Sequence, residues 1–131
     1  RDYYASRGLG DVYKRQKKIP GIGSRIARSI VNRRRLLGGF YQIEQLGEIR
    51  LKAEKLRSWF SVDAGKIHRI NINKASVERM MHHPYISYYQ AKVIAEYRKK
   101  KGKVRDLKQL MLYEEFTPAD FERMAPYVCY D

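Results

Sequence analysis

The residues best suited to chemistry are Gly21-Ile22-Gly23, with Lys18 and Pro20 before them and Ser24, Arg25 and Arg28 after them. Two glycines around one aliphatic residue let the backbone turn tightly with no Cβ in the way, so the amides that open the next helix stay accessible. Amides at the positive end of a helix dipole attract an anion, above all a phosphate, and nearby cations strengthen the seat. Lys18, Gly21, Ile22, Gly23, Ser24, Arg25 and Arg28 are therefore the candidate phosphate-binding residues. Nothing else in the sequence reads as catalytic. Glu114, Glu115, Asp120 and Glu122 lie where helix starts explain acids, stabilised by the dipole. His82 and His83 lack Cys or acid partners at metal-ligand spacing, and Cys129, the single cysteine, allows neither an internal disulfide nor a zinc cluster. No enzymatic activity and no metal site are expected.

Such a seat needs a turn and a helix to hold it. Ile22, Ile26, Ala27, Ile30 and Val31 recur at helical spacing, and Gly38-Gly39 supply the stop. The plan returns 64 residues later without a gap: Pro20 aligns with Pro84, Ile22 with Ile86, Ala27 with Ala91, Ile30 with Ile94, Arg34 with Arg98, Gly38 with Gly102, Ile43 with Leu107 and Leu46 with Leu110. With four more residues inserted, Leu56, Trp59 and Phe60 match Met124, Tyr127 and Val128. Each copy predicts a turn, a helix, a glycine stop, a short helix, a turn and a short helix.

In the second copy Tyr85 and Ser87 replace the two glycines, so its hairpin must turn differently. Ser87 and Gln90 form a capping box for a helix running to about Lys100. Thr117-Pro118-Ala119-Asp120 is a further helix start, and Asn73 is placed to cap a helix over 75–82 that Pro84 ends. The stretches 47–51 and 113–117 lack a Gly-x-Gly pair and are expected to complete the small cores. Tyr85, Tyr88 and Tyr89 are read as core or rim residues. Arg33-Arg34-Arg35 and Lys99-Lys100-Lys101 sit at helix C-termini, where the dipole stabilises cations even without a ligand. Arg33, Arg34, Arg35, Ser87, Tyr88 and Lys92 form a secondary set of candidate contacts for the same anionic partner.

The 131 residues carry 28 Lys and Arg against 14 acids, a net +14, with 44% hydrophobic and 12% aromatic content, enough to fold and excluding disorder throughout. No apolar run reaches the roughly 18 residues that cross a bilayer. Charge is uneven. Residues 17–60 hold eleven cations and three acids, net +8, and residues 70–131 eleven against eight, net +3. A negatively charged partner is implied, facing mainly the first half.

Residues 1–16 look foreign. Ser6-Arg7-Gly8-Leu9-Gly10-Asp11-Val12-Tyr13-Lys14-Arg15-Gln16 resembles a translated transposon-end sequencing adapter. On that reading the natural sequence enters at Lys17, and a signal or anchor belongs to the missing N-terminus.

Ile19-Pro20-Gly21-Ile22-Gly23, followed by a helix with Ile26 and Ala27, resembles the hairpin of the helix-hairpin-helix DNA-binding family. The Ile70-Asn71-Ile72-Asn73-Lys74-Ala75-Ser76 entry, the hairpin and the Tyr97-Arg98 helix end are similar to its competence DNA-receptor (ComEA-type) group. The resemblance implies an all-α fold of tandem helix-hairpin-helix units, the first truncated at its N-terminus: 17–60 as the first, 61–72 as a linker and 73–131 as a second unit with degenerate hairpins. It also implies sequence-independent binding of double-stranded DNA through hairpin amides, a monovalent cation that such hairpins can hold at the first turn, and a periplasmic or membrane-anchored setting. The residues present imply no membrane contact and no other cofactor. Two alternatives stay open: a helical scaffold of an envelope or secretion complex, and the accessory DNA-binding part of a nuclease or repair protein.

Overall fold

In the computed structural model, which describes residues 23–58 and 60–131, helices carry nearly all the regular structure. The chain divides after Ile67 into two compact units. In the first, α1 spans Ser24–Leu37, a 3-10 helix spans Ile43–Ile49, α2 spans Ala53–Leu56 and a 3-10 turn spans Ala64–Lys66. In the second, β1 (Ile70–Asn71) leads to α3 (Val77–Met81) and α4 (Tyr88–Lys101), then a 3-10 helix (Leu107–Leu110), α5 (Pro118–Met124), a 3-10 turn (Ala125–Tyr127) and β2 (Val128–Cys129). The fold is all-α.

The 64-residue periodicity reappears in the elements. α1 and α4 are each 14 residues long and begin 64 positions apart. Their inward positions correspond: Ala27 and Ile30 are buried in one, Ala91 and Ile94 in the other. After α1, Phe40, Ile43 and Leu46 are buried, as Val104, Leu107 and Leu110 are after α4. Leu56 and Phe60 are buried in the first unit, Met124 and Val128 in the second; Trp59, aligned with Tyr127, is outside the described residues. Both helices stop at a glycine of positive φ, Gly38 at 90° and Gly102 at 95°.

The segment between helices is held by side chains that mimic a backbone turn. Gln45, 5% exposed, accepts through Oε1 from the amides of Tyr41 and Gln42. Gln109 does the same for Arg105 and Asp106. Each long side chain satisfies two amides that the 3-10 turn leaves without a backbone partner.

Residues 61–72, expected as a linker without helical period, hold the Ala64–Lys66 turn and β1, and Ile67, Ile70 and Ile72 are buried. β1 pairs in parallel with β2, Ile70 opposite Val128 and Asn71 opposite Cys129, and Ile72 N–H donates to the Cys129 carbonyl at 3.1 Å. The helix expected over 75–82 is shorter, and its cap is Ser76, whose Oγ accepts from the Arg79 amide at 3.0 Å. Asn73 serves elsewhere: its Nδ2 donates to the Val104 carbonyl and its Oδ1 accepts from the Val104 amide, both at 2.8 Å. Three residues of offset decide this, because a serine directly before the helix reaches the third amide and Asn73 does not.

Candidate nucleic-acid interface

The two long helices begin differently. Gly23 is the N-cap of α1 with extended backbone (φ −95°, ψ −176°); among the described residues no side chain caps the helix, and its first turn has no acid. A Cβ built at Gly23 would meet nothing within 4 Å, so packing in the described residues does not require glycine there. Ser24, Arg25 and Arg28 are all exposed. Gly23, Ser24, Arg25 and Arg28 thus lie at or within the first turns of α1, an amide-rich, cationic helix start. Lys18, Gly21 and Ile22 lie outside the described residues, as do residues 1–16.

At α4 the capping box expected from Ser87 and Gln90 is present. Ser87 Oγ accepts from the Gln90 amide at 3.1 Å, and Gln90 Oε1 accepts from the Ser87 amide at 3.0 Å. Gln90 is buried, and its Nε2 donates to the Glu115 carbonyl, which ties the later hairpin to this helix start. The hairpin before α4 is likewise closed on itself. The Tyr85 amide donates to His83 Nδ1 at 3.0 Å and the Ile86 amide to the His83 carbonyl at 3.1 Å. Tyr85, 4% exposed, turns inward against His83 and Tyr127, and the Arg123 guanidinium lies 4.8 Å from its ring. A tyrosine in place of the first glycine is accommodated as a core residue. Tyr88 and Tyr89 remain exposed, with the Lys92 ammonium 5.8 Å from the Tyr88 ring.

The secondary set divides between the two units. Arg33 is half-buried and pairs with Glu48 at 2.8 Å. Arg35 donates to Asn32 Oδ1 at 2.6 Å, and the Arg34 carbonyl accepts from the Gly38 and Gly39 amides. Ser87, Tyr88 and Lys92 share the start of α4. The residues that sequence reasoning overlooked are those that close this hairpin, His83 and Arg123. Their signal lay in chemistry rather than spacing, since a histidine two residues before a tyrosine can accept its amide.

Asp120 is held below the ordinary carboxyl value: burial pushes it up, but the Thr117 amide and hydroxyl and the Arg123 guanidinium together outweigh that. Burial raises the Tyr130 phenol, whose oxygen accepts from the Leu107 amide at 3.3 Å.

No curated protein and no solved structure matches the chain. Among family models, residues 65–129 match the one described as Helix-hairpin-helix motif, a motif generally associated with non-specific DNA binding. The match covers α3, the closed hairpin, α4, the later hairpin and α5, and this second unit carries the helix-hairpin-helix motif.

Proposed function

We propose that the protein binds double-stranded DNA without sequence preference, through backbone phosphates, and that its principal seat is the hairpin leading into α1. In this reading the first unit is also a helix-hairpin-helix unit, and the chain is the DNA-holding part of an uptake receptor of the ComEA type. The observation that carries it is the contrast between helix starts: α4 has a side-chain cap and α1 has none among the described residues, with Arg25 and Arg28 exposed beside it. Phosphate contacts of this sort position DNA without reading it. Residues 1–16 take no part, and their deletion leaves affinity unchanged.

Gly23→Ser is the test. Serine fits the backbone and the empty space at this position and supplies the missing cap, so stability should hold or rise by a few tenths of a kcal/mol. The same hydroxyl occupies the amides that a phosphate would use. Fluorescence anisotropy should then show weaker binding to all duplexes alike and a salt slope shallower by about one unit. Unchanged affinity and slope in a folded variant would remove the hairpin from the interface.

A second reading, a protein-interaction module, rests on one observation. Leu107, Met111, Phe116, Phe121 and Tyr130 line a largely apolar groove of about 620 Å3 that Asp106, Lys108 and Glu122 also border, and Leu112, next to Met111 in the chain, is 94% exposed. Apolar surface of this kind marks docking sites.

A further inference from the structure

We infer that the second unit meets a nucleic-acid backbone with the C-terminal end of α4 and the turn after it, and not with its hairpins. This rests on the DNA-binding reading and assigns that unit a different contact. Its hairpin end is poorly made for phosphate. The Ser87 and Tyr85 amides are already engaged by Gln90 and His83. The later hairpin, joined to the start of α4 through Gln90 and the Glu115 carbonyl, carries Glu114 and Glu115, both exposed. Residues 106–131 hold six acids and two cations, a net −4 that repels a polyanion.

The other end of α4 lies about 20 Å away at 1.5 Å per residue. There Lys99, Lys100, Lys101, Lys103 and Arg105 are all exposed, and none makes an ion pair among the described residues. Asn73 grips Val104 through both its amide atoms, and Arg98 donates to the Ile72 carbonyl at 2.7 Å. These bonds fix the turn and place Lys74, also exposed, next to the residue that is clamped. Residues 68–105 hold ten cations and two acids, a net +8, so the unit is electrically polarised along its sequence. The helix dipole alone would favour cations in the last turn of α4, but it does not account for Lys103, Arg105 and Lys74 beyond the helix. Six unpaired cations on a braced turn suit the closely spaced charges of a phosphate backbone.

The experiment compares two full-length variants of equal charge. One replaces Lys99, Lys100, Lys101 and Lys103 by alanine. The other replaces four exposed cations elsewhere, Lys52, Lys55, Lys66 and Arg79. Duplex binding is measured by anisotropy across a salt series, with circular dichroism to verify that helix is retained. The first variant should lose about two units of salt slope, at roughly 0.9 per phosphate, and weaken on all sequences alike, while the control stays within one unit of the parent. Equal losses in both would reduce the effect to net charge and overturn the proposal, as would no loss in the first. A parent protein that binds no duplex would instead overturn the DNA-binding reading itself.

Discussion

A glutamine is rarely singled out from sequence, yet Gln45 closes the turn between α1 and the following 3-10 helix. Its side chain is buried and satisfies two amides. Gln45→Ala strands both, and urea denaturation should show a loss of about 1–3 kcal/mol. Gln109→Ala removes the equivalent bonds on an exposed side chain, where water can replace them, so its cost should be smaller. Asp120 gives a pH-dependent counterpart. Its folded pKa lies below the ordinary 3.8, so its stabilisation is fully present above that value and is lost as pH falls through the lower, folded one. Asp120→Asn should therefore be less stable than the parent at neutral pH, with the gap narrowing in denaturation curves taken at successively lower pH below 3.8.

Among elements, the glycines that end α1 and α4 look equivalent in sequence but not in conformation. Gly38 has φ 90°, ψ 10°, a left-handed cap that donates to the Arg34 carbonyl at 3.0 Å. Gly102 has φ 95°, ψ −163°, a region open essentially to glycine alone. Gly38→Asn should cost about 1 kcal/mol or less, since asparagine tolerates the left-handed region, whereas Gly102→Asn should cost about 1–3 kcal/mol. Thermal unfolding of both variants checks the order. The lengths and offset of the two long helices were legible because Ala27, Ile30 and their counterparts repeat at helical spacing. The cap of α3 was not: Asn73 and Ser76 are both good caps, and only the fold shows that Asn73 is committed to Val104. Residues 61–72 were opaque for a related reason. Two-residue strands are too short to leave a period, and their partner lies 58 positions away.

For the whole molecule, a net +14 makes salt the sharpest probe. Four to six neutralised phosphates predict a log-log slope of about −4 to −5, with similar affinity for unrelated duplexes of equal length. A flat response or a strong preference for one duplex would contradict phosphate-based binding. Only part of the candidate site was legible at this scale. The Gly-Ile-Gly turn drew attention to the first copy, and the four residues named there that are described, Gly23, Ser24, Arg25 and Arg28, lie at or just after the start of α1. The family match falls instead on residues 65–129, where the glycines are absent. There Tyr85, aligned with Gly21, is buried against His83 and Tyr127.

The parallel pairing of β1 with β2 has a mechanical consequence. Tension applied through the chain before Ile70 and after Cys129 pulls each strand along its own axis and in opposite directions. The ladder is then loaded in shear, and its bonds with Ile72 N–H must fail together rather than one by one. An antiparallel pair at the same place would peel. A protein that holds a polymer under load gains from a unit whose two ends are locked in this way, and stretching the second unit between residues 68 and 131 in an optical trap should show a single cooperative rupture.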